Sequence, residues 1–455
     1  MEPIKVSVVI NTLDRADQLE RTLESLRQLR YPAFEAVVVH GPCRDRTPEV
    51  LARFAPAIRV GTCPQANLAM SRNVGVVMAQ GEVVAFLDDD AIPEPDWLDR
   101  LAAVFADPRV GAAGGFIRDR DGVRFQHQAI VADRLGEAQS FPQLPADPGP
   151  GRYFSPTGTN VAIRRAALLQ IGGFDEEYAY FLDETDVNLR LTDAGWRLVS
   201  VPDAEVHHKF AASNLRSTDR VPRSLHLIAR SKSYFCWVNA AGSHSAEAIR
   251  QELRRFADEH KAKIERFLKR RKIDAATAQK LLAEVEQGLA DGERDAALPR
   301  RLLSPPGIDS ANGFNPSGAR TGCLRICLVS RHFAHDKAMR EAAAGLVATG
   351  HEVTAIQRGR ISLVDFRDGV WLHTVMPRPA AWTTFLSPGL LSPGKRFAAA
   401  VAAEIRRIQP RRQFQAVACP AAEAGGLDGI GMPVLAIPTD ALERRLTELV
   451  AEQRR

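Results

Sequence analysis

The sequence has little of what membrane, secreted or nucleic-acid-binding proteins usually show. Its longest apolar runs fall well short of the about 20 residues that a membrane-spanning helix needs, and its first residues lead into a strand-like run without a signal-peptide core. The six cysteines contain no CxxC pair, which favours packed thiols in a reducing compartment over a metal site. A net charge of +5 on 455 residues gives no nucleic-acid footprint. We expect a cytoplasmic protein that binds no nucleic acid.

The composition is that of an ordinary globular protein. Hydrophobic residues make up 45% and charged residues 25% of the chain, with 32 glycines and 28 prolines. These values exclude the disordered and collagen-like classes. At about 150 residues per domain, the length predicts about three domain-sized units.

Strand-like and helical patterns alternate along the first part of the chain. Short β-branched runs between Val6 and Leu87 are separated by helical repeats such as Leu19, Leu23 and Leu26. This alternation predicts an α/β fold with a mainly parallel, Rossmann-like sheet that is covered on both faces. We predict four segments: an α/β domain over 1–240, a charged helical segment over 241–300, a linker over 301–322 and a smaller Rossmann-like α/β domain over 323–455.

The helical segment contains a strongly basic run. Seven lysines and arginines lie between residues 261 and 272, with a few apolar residues among them. Such a run can contact an anionic membrane surface, or it can form a solvated helix face, which is the commoner case. We favour the solvated face and keep peripheral contact with the inner face of a membrane as the alternative.

Three consecutive aspartates, Asp88, Asp89 and Asp90, follow the fourth predicted strand. Ligands of open α/β sheets bind beyond the carboxyl ends of the strands, and adjacent carboxylates repel one another unless a cation or a donor compensates them. Carboxylate oxygens suit Mg²⁺ or Mn²⁺, and such an ion bridges phosphate oxygens. Taken alone, the triplet could also be an acidic run that faces solvent and binds no metal.

A second acidic cluster and a histidine pair follow later in the chain. Asp183, Glu184 and Asp186 open a predicted helix, where the helix dipole alone would favour carboxylates. His207 and His208 end a strand-like run and could ligate a metal or decorate a loop. In isolation we favour the loop decoration.

The order of these motifs closely resembles the family 2 glycosyltransferases, which are inverting enzymes with a GT-A fold. The resemblance covers residues 5–210 and includes the strand at Val6, the acidic triplet, and the second acidic cluster. It implies a nucleotide-sugar donor and a divalent ion, Mg²⁺ or Mn²⁺. The other matching segments are Ser71-Arg72-Asn73, Gly158-Thr159-Asn160 and Gly172-Gly173-Phe174-Asp175.

The resemblance also implies a role for each matching residue. Asp90 would hold the divalent ion together with Asp88 and His208. Glu184 would be the base that deprotonates the acceptor hydroxyl, with Asp183 as the other member of the acid pair. The donor nucleotide sugar would be contacted by Asn11, Thr12, Arg15, His40, Arg72, Asp88, Asp89 and Asp186.

Three positions depart from the family pattern. His40-Gly41-Pro42 stands where most relatives carry an aspartate that contacts the base, and Leu13 stands where an aromatic residue often lies. Glu184 replaces the usual aspartate of the acid pair and reaches about one bond further. These departures leave the donor base open, with uridine as one candidate.

The second α/β unit resembles the first Rossmann half of family 4 glycosyltransferases, which have a GT-B fold. The resemblance rests on the strand from Arg325 to Val329 and on Gly350-His351-Glu352-Val353-Thr354. The nucleotide-binding half is missing, and the first loop lacks the glycines that let a backbone approach phosphate. We expect this unit to dock or stabilise rather than to carry transferase chemistry.

The leading hypothesis is a metal-dependent inverting glycosyltransferase of the hexosyltransferase type. Its acceptor would be a saccharide, a lipid-linked saccharide or a protein, in polysaccharide or glycoconjugate synthesis. The alternative is a catalytically inactive nucleotide-sugar-binding or scaffold protein, which the intact acidic clusters disfavour. A dinucleotide-dependent oxidoreductase is excluded because no G-x-G-x-x-G follows either first strand. The oligomeric state is left open.

Overall fold

The structure is a computed structural model of the chain. It describes residues 2–55, 57–210, 215, 217, 219, 221–303, 313–317, 322–377, 393–424, 427, 430–437 and 448. Most of the predicted linker 301–322 lies outside the described residues. Within them, no helix is long and apolar enough to cross a membrane.

The N-terminal unit is built on a mixed β-sheet. Among the described residues, nine strands join it in the order β3-β2-β1-β4-β11-β6-β12-β5, with β7 paired to β6. Strands β1 to β4 run parallel, β11 is antiparallel to β4, and β8 to β10 form a small separate sheet. The strands are β1 (Val6–Thr12), β2 (Phe34–His40), β3 (Ile58–Thr62), β4 (Val83–Asp88), β5 (Ala91–Pro93), β6 (Val110–Arg118), β7 (Phe125–His127), β8 (Ala129–Asp133), β9 (Ala138–Phe141), β10 (Arg152–Phe154), β11 (Asn160–Arg164) and β12 (Arg197–His208).

Helices cover both faces of this sheet. Side chains alternate along a strand, so Val8 and Ile10 of β1 pack on one face with α1, α2 and α4, while Val9 packs on the other with α3, α5, α6 and α7. This arrangement confirms the predicted α/β class with a mainly parallel, doubly covered sheet. The helices are α1 (Ala16–Leu26), α2 (Thr47–Phe54), α3 (Leu68–Met78), α4 (Trp97–Val104), α5 (Arg165–Gln170), α6 (Asp183–Asp193), α7 (His226–Ala240), α8 (Ala246–Lys269) and α9 (Ala275–Asp295).

Helices α8 and α9 occupy the range where we predict a charged helical segment. Helix α9 packs closely on α7, because Gly288 and Gly292 let the two backbones approach. A Cβ at Gly292 would lie 2.3 Å from the carbonyl oxygen of Arg230, so any larger residue would push the two helices apart. The basic residues of 261–272 lie at the exposed far end of α8 and in the turn that follows.

The C-terminal unit is a second, smaller α/β layer. Its described strands follow the order β15-β16-β14-β13-β17-β18, and all neighbours are parallel except β15 with β16. This agrees with the expected Rossmann-like architecture. The elements are β13 (Arg325–Val329), α10 (Lys337–Ala348), β14 (Glu352–Arg358), β15 (Leu363–Arg367), β16 (Val370–Val375), α11 (Pro393–Arg412), β17 (Ala416–Pro420) and β18 (Val434–Ile437).

One buried amide ties four elements of the N-terminal unit together. Asn160, at the start of β11, accepts a hydrogen bond from the indole N–H of Trp97 at 2.8 Å. Its Nδ2 donates to the carbonyl oxygens of Phe116 in β6 and Ala204 in β12, at 3.1 and 2.8 Å. Because the side chain is fully buried, water cannot replace these partners.

We expect Asn160→Ala to lower the free energy of unfolding by about 3 kcal/mol, because it leaves three buried polar groups without a partner. Urea denaturation measures the change. Gln170→Ala is the matched control, since Gln170 also accepts from an indole N–H, that of Trp196, but at an exposed site. This control should change stability by less than about 0.5 kcal/mol, and equal effects of the two variants would contradict the assignment.

Candidate active site

A cavity of about 430 Å³ opens at the carboxyl ends of β1 and β4. It lies where the β1 and β4 strands end side by side, with Asn11 paired in register with Asp88. The structure brings most of the predicted site residues to its walls. They are Asn11, Thr12, Arg15, Arg72, Asp88, Asp89, Asp90, Asp183, Glu184 and His208.

Two aspartates and a histidine form a group that fits a divalent ion. Asp88, Asp90 and His208 each offer one ligand atom, and these atoms lie within 4.8 Å of one another. The sheet creates this proximity, because β12 runs antiparallel to β5 and sets His208 opposite Ala91. His208 Nε2 lies 3.1 Å from a carboxylate oxygen of Asp90 and 3.8 Å from one of Asp88.

The imidazole of His208 is oriented for ligation by a residue that the sequence analysis missed. Its Nδ1 lies 2.9 Å from Oε1 of Gln126, and an amide oxygen accepts, so Nδ1 carries the proton. Nε2 is then the ring nitrogen directed at Asp88 and Asp90, the orientation that a metal-ligating histidine needs. Gln126 lies on the short strand β7 without a sequence motif around it, so no signal pointed to it.

Asp89 faces away from the metal-ligand group. Its carboxylate accepts from the Thr12 hydroxyl at 2.7 Å and pairs with the Arg15 guanidinium, whose other nitrogen contacts Asp90 at 3.0 Å. Burial raises the pKa of Asp89 to about 7, against the opposing effect of Arg15. The hydroxyl of Thr159, in the segment Gly158-Thr159-Asn160, donates to Asp88 at 2.6 Å, a contact that the sequence did not indicate.

The second acidic cluster follows a constrained turn. Phe181 and Leu182, just before α6, both have positive φ values, 75° and 64°. Non-glycine residues in this left-handed region cost energy and persist where surrounding packing holds them. Leu182 is buried in the core, whereas Phe181 is exposed and lines the cavity. The turn places Asp183 and Glu184 at the cavity wall.

A single buried arginine serves both members of the acid pair. Arg72 of α3 contacts Asp183 directly and lies 3.6 Å from Glu184. Gly158 makes this possible, since a Cβ at that position would lie 2.1 Å from the Arg72 guanidinium. Asp183 is almost fully buried, whereas about a quarter of the Glu184 side chain is exposed.

The two carboxyls of the acid pair ionise differently. Burial raises the pKa of Asp183 to about 8, although the Arg72 charge opposes the rise. Burial also works to raise the pKa of Glu184, but the Arg72 charge and hydrogen bonds from Asp183 and a backbone N–H of Gly158 outweigh it and lower that pKa. At neutral pH Asp183 therefore holds a proton, and Glu184 is the charged carboxylate that is open to the cavity.

Two predicted donor-binding residues do not line the cavity. Asp186 is fully buried and accepts from Arg190 at 2.7 Å and Arg300 at 2.8 Å, so it anchors α6 and does not reach a ligand. His40 hydrogen-bonds through its ring to its neighbour Gly41 and to Thr62. Of the His40-Gly41 pair, only the glycine lines the cavity.

Comparison with known proteins gives concordant sequence relatives. The profile of the family described as "Glycosyl transferase family 2" matches residues 7–172. The chain is 32% identical over 269 residues to an N-acetylglucosaminyl-diphospho-decaprenol L-rhamnosyltransferase of Mycobacterium tuberculosis, covering 52% of this chain and 84% of that protein. It is 28% identical over 253 residues to the O-antigen biosynthesis protein RfbC of Myxococcus xanthus, covering 52% of this chain but only 20% of that protein.

Solved structures show a more distant similarity. The mannosyltransferase PcManGT of Pyrobaculum calidifontis, in complex with GDP-Man and Mn²⁺, is 20% identical with a TM-score of 0.38. That match covers 66% of this chain and 76% of the other.

The ionisation of Asp183 predicts a pH-dependent contribution to stability. The pKa of Asp183 is raised from the ordinary 3.8 to about 8. Its contribution to the free energy of unfolding is therefore complete below about pH 4 and is lost as the pH rises to about 8. We expect the stability of the wild-type protein relative to Asp183→Asn to fall over this range, as measured by urea denaturation at several pH values.

Asp186→Asn, three residues along the same helix, is the control with the opposite sign. The pKa of Asp186 is lowered: its burial is outweighed by the charges of Arg190 and Arg300. Its contribution should therefore be lost as the pH falls through the acidic range. A pH-independent difference between the wild-type protein and Asp183→Asn would contradict a buried neutral Asp183.

Proposed function

Since this chain belongs to glycosyl transferase family 2, we propose that it transfers a sugar from a nucleotide-sugar donor to an acceptor hydroxyl with inversion at the anomeric carbon. The proposal rests on one observation: a group of candidate metal ligands and a candidate base line the same cavity. The group Asp88, Asp90 and His208 lies there together with Glu184, a charged carboxylate with an exposed edge.

Asp88, Asp90 and His208 are the residues that would hold a divalent ion, Mg²⁺ or Mn²⁺. When bound, such an ion supplies positive charge to the donor diphosphate and stabilises it as a leaving group. The oxygen and imidazole donors suit either metal. Arg15 forms ion pairs with Asp89 and Asp90 and so fixes the orientation of these two side chains. Its guanidinium also places a positive charge at the cavity wall.

Glu184 is the residue that we assign as the general base. Its carboxylate takes the proton of the acceptor hydroxyl while that oxygen bonds to the anomeric carbon and the bond from this carbon to the diphosphate oxygen breaks. The nucleoside diphosphate leaves with the electron pair. Arg72 keeps Glu184 ionised before the proton arrives, and the neutral Asp183 hydrogen-bonds to it.

We further propose a lipid-linked saccharide as the acceptor, in the assembly of a surface polysaccharide. Two relatives support this class, since one is an N-acetylglucosaminyl-diphospho-decaprenol L-rhamnosyltransferase and the other an O-antigen biosynthesis protein. The cavity wall also has an apolar part, to which Leu227 and the exposed Phe181 contribute. Contact of the basic run 261–272 with an anionic membrane surface, and a cytoplasmic location, stay predictions.

The alternative is a binding or scaffold protein without catalysis. It would need the donor site without a functional base or metal group. The cavity wall carries a candidate for each. Glu184 has a lowered pKa, and the atoms of Asp88, Asp90 and His208 that could ligate a metal lie within 4.8 Å of one another, which supports the enzyme over the scaffold. The two hypotheses differ in one measurement, the turnover of donor in the presence of acceptor.

We expect Asp90→Asn to abolish Mn²⁺ binding, because the variant removes one charged ligand and leaves two. Isothermal titration calorimetry with Mn²⁺ on the metal-free protein measures the loss. The same variant should lose Mn²⁺-dependent thermal stabilisation by the UDP-, GDP- or dTDP-sugar that stabilises the wild-type protein most. Equal Mn²⁺ binding by wild-type protein and variant would reject Asp90 as a ligand.

We expect Glu184→Gln to lower the turnover number by about 10²–10⁴-fold, because the amide cannot accept the proton. Release of nucleoside diphosphate in the presence of acceptor measures turnover. This variant leaves Asp88, Asp90 and His208 unchanged, so its Mn²⁺ affinity should match that of the wild-type protein. It is therefore the control for Asp90→Asn. Turnover at the wild-type level would move the base elsewhere, with Asp183 the next candidate.

A further inference from the structure

The C-terminal unit contacts the N-terminal unit on the strand pair β5–β12, in which β5 begins one residue after Asp90 and β12 ends at His208. Strands β5 and β12 run antiparallel, with Val206 opposite Pro93, His207 opposite Ile92 and His208 opposite Ala91. Strand β5 has only three residues and lies at the edge of the sheet. So short an edge pairing contains few backbone hydrogen bonds between the strands. The positions of His208 and Asp90 nevertheless depend on it, because His208 lies opposite Ala91 and Asp90 directly precedes β5.

The contact has an apolar part on the face opposite the cavity. Side chains alternate along a strand, so His208 faces the metal group while its neighbour His207 faces the C-terminal unit. There Ile92 packs in one buried cluster with Val364, Phe366 and Trp371. The ring of His207 lies edge-on to Trp371, with ring centroids 5.0 Å apart.

A buried ion pair joins the same two surfaces. Glu94, one residue after β5, lies 2.8 Å from His207 Nε2 and 2.8 Å from the guanidinium of Arg412 at the end of α11. Arg412 also stacks over the ring of Trp371, with its guanidinium carbon 3.9 Å from the centroid. Both Glu94 and Arg412 are buried, so solvent does not screen the pair.

The residue that follows His208 is held by the C-terminal unit as well. Lys209 Nζ donates to the Val364 carbonyl at 3.0 Å and pairs with Asp365 at 3.1 Å. Its backbone N–H donates to the carbonyl oxygen of Asp90 at 2.9 Å. Lys209, one residue after the end of β12, is therefore linked both to Asp90 and to strand β15.

We propose that the C-terminal unit is a brace for the metal site, with Trp371 and Arg412 as positioning residues that act through His207 and Glu94. The inference rests on the proposed function in one respect, the assignment of Asp90 and His208 as ligands. A site of this kind needs its ligands held within about 0.5 Å of the productive geometry. The short edge pair gains this rigidity from the layer packed behind it.

The test is the Mn²⁺ affinity of the full-length Arg412→Met variant. The substitution keeps the apolar stem but leaves Glu94 without its arginine, so the β5–β12 pair loosens. We expect the dissociation constant for Mn²⁺, measured by calorimetry without donor, to rise about 10–100-fold, the range typical of lost outer-shell support. The Mn²⁺ concentration that gives half-maximal activity should rise in parallel, while the turnover number at saturating Mn²⁺ stays close to that of the wild-type protein. Arg412→Lys should restore part of the affinity.

Arg331→Met is the matched control within the same unit. Arg331 pairs with Glu423 at the carboxyl ends of the C-terminal strands, away from Glu352 and Arg412, which face the N-terminal unit. The control should lower the thermal midpoint without changing the Mn²⁺ affinity. Asp365→Asn is a milder second variant. It removes the charge that pairs with Lys209 and Arg21 of the N-terminal unit and with Arg367, but it leaves the Glu94–Arg412 pair intact. It should weaken Mn²⁺ binding to a smaller degree.

The outcomes separate the brace from the proposed function. Wild-type Mn²⁺ affinity in folded Arg412→Met, or in Asp365→Asn if the first variant does not fold, overturns the brace and leaves the metal site standing. An equal loss of affinity in Arg331→Met also overturns it, because general destabilisation would then explain the effect. Absence of Mn²⁺ binding by the wild-type protein overturns the metal site and, with it, the inference.

Discussion

The concentration of negative charge in one cavity is the constraint on which the rest of the structure depends. Burying like charges together is costly unless each is paired, hydrogen-bonded or neutralised. The N-terminal unit uses all three ways. Arg15 and Arg72 provide paired charges, the hydroxyls of Thr12 and Thr159 donate hydrogen bonds to Asp89 and Asp88, and burial raises the pKa of Asp183, which favours its neutral form. Five carboxyl groups share the cavity wall: Asp88, Asp89, Asp90, Asp183 and Glu184.

This compensation gives each carboxyl a different task. Asp89 and Asp183 are enclosed and hold the arginines, whereas Asp88 and Glu184 keep exposed edges that a substrate can reach. Enclosed and exposed carboxyls thus lie next to one another in the chain. The alternation follows from local geometry, since β4 ends at Asp88 and α6 begins at Asp183.

Charge also shapes the boundary between the two units. A buried ion pair such as Glu94 with Arg412 adds little net stability over an apolar pair, but losing one partner is costly because it strands the other charge. Such a pair therefore selects one docking geometry. At this boundary the selected geometry places Trp371 against His207, the neighbour of the proposed metal ligand His208.

Much of the fold and part of the site follow from sequence patterns that have a local physical cause. Alternating strand and helix periods dictate the α/β class, and acidic residues at the end of a buried strand indicate the cavity edge where Asp88 and Asp90 lie. Asp186 shows the limit of this reasoning. Its place in an acidic cluster resembles that of Glu184, yet Arg190 and Arg300 enclose it, and Arg300 is more than a hundred residues away in the chain.

The sequence by itself therefore determined the class of fold, the order of the motifs and the residue types available for chemistry, because these depend on local periodicity and on strand ends. Only the tertiary structure decided which carboxyl is enclosed, which keeps an exposed edge, and what packs behind the strand that ends at His208. Those properties depend on burial and on partners from distant segments, such as Gln126 beside His208 and Arg412 beside Glu94. No local pattern encodes such pairs, since their proximity arises only when the layers pack.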